Sequence, residues 1–166
     1  MPWPDTVHQQ AFAEEVARLQ RWIEEGDYGR PTAFAGAIQH LYVMENEQRH
    51  RLTDEVYWAE RGSHPTGAVV GGILYARGLV THPKTMLAVP ELIEGSRPFT
   101  VGRSLLGSGD TLRGPGVALR WAGFATLPPP GKKEQRRRDV MYDQYVAGRA
   151  VLDTFADAER FFRELT

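Results

Sequence analysis

The sequence predicts a mainly α fold: a helical bundle of about four helices with an appended β-hairpin and a C-terminal helix. Three observations predict it. Apolar residues recur at helical spacing from Phe12 to Leu41 and again from Phe155 to Leu165. Residues 66–82 begin apolar nearly all round, the pattern of a buried helix. Residues 84–131 then change character, with six prolines and many glycines among short β-prone runs.

Pro4-Asp5-Thr6 is a helix start, and Thr6 with Gln9 fits a capping box. Phe12, Val16, Leu19 and Ile23 form the apolar stripe of the first helix, beside Trp22, and Gly26-Asp27-Tyr28-Gly29 ends it. Pro31 suits the first turn of a second helix. Its stripe runs Phe34, Ile38, Leu41, with Met44 or Glu45 next, so the two make an antiparallel hairpin. Residues 45–62 are polar and charged, and Leu52, Val56 and Ala59 predict a third, shorter helix there.

Gly62-Ser63-His64-Pro65 breaks the chain before the buried helix over 66–82. Gly67, Gly71, Gly72 and Gly78 lower its propensity by up to ~1 kcal/mol each, which points to close approach of another helix. A strand over 68–74 is the rival reading, but the segment is long and lacks alternation. Residues 98–101 and 117–121 are candidate strands, and Gly107 to Asp110 and Gly114-Pro115-Gly116 are candidate turns. Leu127-Pro128-Pro129-Pro130-Gly131 is an extended stop. Beyond the following charged run, Met141, Tyr145 and Tyr142 are placed to pack, Gly148 breaks, and residues 151–165 form the last helix. The boundaries are 1–83 for the bundle, 84–131 for the hairpin insertion and 132–166 for the C-terminal helical segment, within one compact domain.

The 166 residues suit a single domain. With no cysteine, disulfide scaffolds, thiol nucleophiles and thiolate-ligated metals are excluded. The bias of 17 Arg against 3 Lys, with abundant Ala, Gly and Pro, suggests a GC-rich genome such as that of an actinobacterium or its phage. No leader is visible, and the longest apolar stretch is far below the ~20 residues that span a bilayer, so a cytoplasmic protein with no membrane partner is expected. The net charge of −1 hides a gradient. Residues 1–60 hold 11 acidic and 5 basic side chains, whereas residues 61–149 hold 6 and 13. Such asymmetry marks either a face for an acidic partner or two opposite surfaces that meet inside the fold or across a dimer.

Walker A, GxGxxG, HExxH and GxSxG patterns are missing. The five histidines have no paired-ligand spacing, so neither metal nor cofactor is expected. The most informative spacing is Arg77-Gly78-Leu79-Val80-Thr81-His82. A guanidinium and an imidazole near one helix end could perform metal-independent phosphodiester chemistry. Arg77 would hold the phosphate and His82 would act as general acid or base. The competing reading is structural, since cationic side chains near a helix C-terminus favour the macrodipole and cap free carbonyls.

A bundle with Arg-x4-His late on its last core helix resembles the HEPN superfamily over roughly residues 6–83. That resemblance implies frequent homodimers and, in active members, RNA cleavage by two such motifs meeting across the dimer, with Arg77 and His82 as the catalytic pair. Where the family's motif usually has a polar residue after the arginine, this chain has Gly78. Many HEPN-like proteins are non-catalytic interaction modules. The wider layout is similar to actinobacterial helical proteins: Tyr75-Ala76-Arg77 with His82, Arg120-Trp121 with the 127–130 prolines, then Tyr142 to Arg149.

Lys132, Lys133, Arg136, Arg137 and Arg138 make the densest basic run and are the candidate nucleic-acid contacts. No interleaved aromatics supply a stacking platform, and such a run is commonly a solvated helix start. The leading expectation is a HEPN-like accessory or interaction protein, linked to phage or defence biology. The alternatives are a metal-independent ribonuclease using Arg77 and His82, toxin-like in setting, and a small regulatory protein that binds a host protein through its hairpin. The expected partners are a second copy of the chain and an RNA or a protein.

Overall fold

The computed structural model describes residues 7–25, 32–80, 87–100, 111–129 and 137–165, side chains of 25, 92–100 and 111–117 excepted. Among the described residues it is mainly helical, with one two-stranded antiparallel hairpin and a C-terminal helix, as the sequence predicts. The helices are α1 (Val7–Glu25), α2 (Thr32–Leu52), α3 (Asp54–Ser63), α4 (Gly67–Val80), α5 (Arg138–Tyr145) and α6 (Val151–Glu164). The strands are β1 (Ala88–Thr100) and β2 (Thr111–Trp121), followed by a short 3₁₀ turn, Phe124–Thr126.

α1 buries Phe12 and Leu19 from its predicted stripe. Thr6, the expected cap, lies outside the described residues. On α2 the stripe continues past Leu41 through both Met44 and Glu45 to Gln48, all buried. The helix therefore runs to Leu52, eight residues into the segment read as polar. Thr53 breaks it with a positive φ of 67°, and the Arg49 guanidinium grips Asp54 bidentately at 2.6 and 2.9 Å across the break. The predicted stripe of α3 is corrected. Val56 is exposed and the inward residues are Tyr57 and Arg61, because what α3 meets on α2 is a carboxylate rather than an aliphatic surface. Ser63 closes that helix by donating to the Glu60 carbonyl at 3.0 Å.

Residues 67–80 are helical, and the expected close approach is present. A Cβ on Gly67 would stand 2.0 Å from the Arg61 carbonyl oxygen. One on Gly72 would stand 2.6 Å from Val146 Cγ2 and 3.0 Å from the α5 backbone at Met141 and Tyr142. α4 thus lies against both the end of α3 and the length of α5. One C-terminal expectation changes: Tyr142 is fully buried, as expected, whereas Tyr145 is 43% exposed.

The hairpin is longer than the candidate strands. It pairs Ala88 with Trp121 at its base and Thr100 with Thr111 at its far end. Gly114-Pro115-Gly116 is strand and not turn: Ile93 pairs Gly116 and Arg97 pairs Gly114, with a register shift between. An irregularity spares Pro115, which has no N–H, from the ladder. The Gly107–Asp110 turn lies outside the described residues. At the base, Trp121 is 1% exposed, packs on Phe34, Tyr142 and Phe155, and donates from Nε1 to Thr154 Oγ1 at 2.7 Å. Residues 148–150 run beside it: Trp121 N–H donates to the Arg149 carbonyl, Gly148 N–H donates to the Trp121 carbonyl, and Gly148 turns with φ +73°.

Two glycine substitutions on α4 should behave oppositely. Gly72→Ala forces its methyl into the α5 backbone and should cost about 1–3 kcal/mol. Gly78→Ala meets nothing within 4 Å and should stabilise by up to ~1 kcal/mol through helix propensity. Urea unfolding followed by circular dichroism checks both.

Candidate functional site

Arg77 sits in the last turn of α4, where the sequence places it. Its guanidinium carbon stands 3.6 Å from the centroid of the Tyr42 ring, and Nε donates to Gln39 Oε1 at 3.1 Å. Both partners lie on α2, so the arginine lies flat across the α2–α4 seam. Such a stack is worth about 0.5–1 kcal/mol at an exposed site. His82 lies outside the described residues, as do Lys132, Lys133 and Arg136. Arg137 is exposed with a left-handed φ of 56°. Arg138 turns inward.

Arg138 belongs to the most unusual chemistry among the described residues, a carboxylate held by two guanidiniums inside the fold. Glu45 is fully buried. Its Oε2 accepts from Arg138 Nη2 at 2.7 Å, and its Oε1 accepts from Arg61 Nη1 at 2.9 Å and Tyr57 Oη at 3.3 Å. Arg61 is 4% exposed and lies over the Trp58 ring at 4.3 Å, with Arg49 at 5.2 Å from the same ring. Burial first, and the Glu45 carboxylate second, hold the Tyr57 phenol well above its ordinary ionisation range. Burial does the same for Tyr142, whose hydroxyl donates to the Ala122 carbonyl at 2.8 Å. Next to Glu45 on the stripe, buried Gln48 accepts from Arg51 Nε at 2.8 Å.

This constellation can pin three elements: α2 through Glu45, α3 through Tyr57 and Arg61, and α5 through Arg138. Sequence reasoning placed Glu45 on the α2 stripe and Arg138 in a basic run without joining them. The available signal was the carboxylate itself, an acid at a core position that needs buried cations. The structure also sets His8 of α1 against His40 of α2, a pair that lies 32 residues apart in sequence. Among the described residues no group of three or more His, Cys, Asp or Glu could hold a metal ion. No described helix is long and apolar enough to cross a membrane.

Glu45→Gln leaves the buried Arg61 and the half-buried Arg138 without their counter-charge and should cost about 3–5 kcal/mol in urea unfolding. The tyrosines give a pH test. Their folded ionisation is raised, so the stability they confer is fully present below about pH 10, the unfolded value, and is lost as pH rises above it. In a spectrophotometric titration, Tyr57 and Tyr142 should ionise only as the chain unfolds.

No family model matches the chain, and no solved structure matches it. Over 116 residues it is 33% identical to a CRISPR-associated helicase Cas3 from Thermoproteus tenax, a stretch that is 69% of this chain and 19% of the helicase. The chain therefore spans about a fifth of that relative's length.

Proposed function

We propose that this chain is a HEPN-like helical accessory module that holds a partner and does not itself cut RNA. The observation that carries this reading is the state of Arg77. A catalytic guanidinium would have to present itself to a scissile phosphate, whereas this one lies face-down on Tyr42 with Nε bonded to Gln39. Arg138, from the basic run proposed for RNA contact, is likewise engaged by Glu45. The partial likeness to a CRISPR-associated helicase supports a defence setting.

The hairpin is the element we assign to partner contact. Among the described residues its sheet has two strands, so β1 has one hydrogen-bonded neighbour and an outer edge of backbone donors and acceptors. Such an edge accepts an added strand from a protein partner. The homodimer expected from the HEPN resemblance is one way to supply it.

The test is an RNA cleavage assay in EDTA with wild-type protein, Arg77→Ala and His82→Ala. All three should leave RNA intact. Cleavage by the wild type that His82→Ala abolishes would establish the ribonuclease reading instead.

A further inference from the structure

We propose that His8 and His40 form a binding site for one first-row divalent ion of the imidazole-preferring kind, such as zinc, across the α1–α2 seam. The two Nδ1 atoms stand 3.2 Å apart. Two bonds of about 2.0–2.1 Å drawn from that separation meet at a ligand–metal–ligand angle of about 100°, between octahedral and tetrahedral values. The donor chemistry selects zinc, copper or nickel over magnesium and calcium, which take oxygen ligands.

The surroundings fix which nitrogen is available. Glu47, seven residues beyond His40 on α2, places Oε1 3.9 Å from His8 Nε2, the ring atom facing away from His40. Glu47 Oε2 is buried and has no hydrogen-bond partner among the described residues. A carboxylate there favours a proton on Nε2 and leaves the Nδ1 lone pair of His8 for a ligand. At 3.9 Å the carboxylate acts on His8 through its charge and not through a hydrogen bond. The site is also open, since His8 exposes 34% of its side chain, so water can fill the remaining coordination positions.

The rings face each other nearly head-on, with centroids 5.5 Å apart. Without metal, one Nδ1–H donates to the other Nδ1. On binding, that ring changes tautomer, its proton passing from Nδ1 to its own Nε2 by exchange with water, and the rings tilt about χ2, a soft torsion for histidine.

The test is zinc titration of the full chain by calorimetry, with histidine nitrogen resonances followed in the wild type. One zinc per chain should bind, with the Nδ1 resonances of His8 and His40 moving together. A zinc concentration about a hundredfold above Kd should raise Tm by about 5 °C or more. His8→Gln and His40→Gln should each weaken binding at least tenfold, Glu47→Gln should weaken it less than either, and His50→Ala should leave it unchanged. Magnesium should not compete. Absence of zinc binding, binding unaffected by His8→Gln and His40→Gln, or shifts at other histidines instead would overturn the proposal and leave the pair a hydrogen bond. The wild-type resonances decide the matter even where a variant fails to fold.

Discussion

The Glu45 carboxylate is the constraint from which the rest of the architecture follows. It sits on the apolar stripe of α2 at a position geometry reserves for a hydrophobic side chain. A buried, unpaired carboxylate would cost several kcal/mol, so the fold must bring cations to it. Arg61 arrives from 16 residues away and Arg138 from 93. Satisfying one side chain therefore fixes how α3 turns back from α2 and where α5 docks. Hydrophobic surfaces tolerate sliding, but a carboxylate shared by two guanidiniums and a phenol tolerates little. That makes the cluster a device for register more than for net stability, since buried ion pairs barely repay their desolvation.

α4 is built to let those partners in. Its glycines hold the Arg61 carbonyl, the Met141 sulfur and Val146 Cγ2 at distances no Cβ would permit, and the α5 backbone at 3.0 Å from a Gly72 Cβ. The helix accepts a propensity cost for this close approach, which brings Arg138 within reach of Glu45. A second anchor, Trp121, joins the hairpin base to α6 through Thr154 and to α5 through Tyr142. The hairpin thus extends from the aromatic part of the core, while the charge cluster sits under α3.

How far the sequence disclosed this follows from periodicity. α1, α2 and α6 were legible because their inward faces carry apolar residues at helical spacing, and α4 because it is apolar nearly all round and too long for a strand. α3 was legible as a helix, but its face was misread because Tyr57 and Arg61 are inward and Val56 is outward. A pattern search that counts aliphatics cannot find a face that packs against a carboxylate. Pro115 likewise reads as a turn until the partner strand supplies the irregularity that accommodates it. Of the candidate site, Arg77 was legible as a residue but not as a stack on Tyr42, and His8 with His40 was invisible. Spacing along one segment says nothing of ligands contributed by two helices.

The charge gradient changes meaning in the same light. A basic middle segment after an acidic start reads as a surface for phosphates. Among the described arginines of that segment, Arg61 and Arg138 meet Glu45, Arg120 meets Glu91, and Arg149 meets Asp157 at 2.8 Å. Arg77 is laid on Tyr42, and Arg137 stands exposed. Four of the segment's 13 basic side chains thus meet three carboxylates, one each from α2, the hairpin and α6. Glu45 and Asp157 each tie an arginine of the basic segment to a distant part of the chain, whereas Arg120 and Glu91 pair within it, and sequence-independent attraction to nucleic acid is weakened by the arginines so engaged.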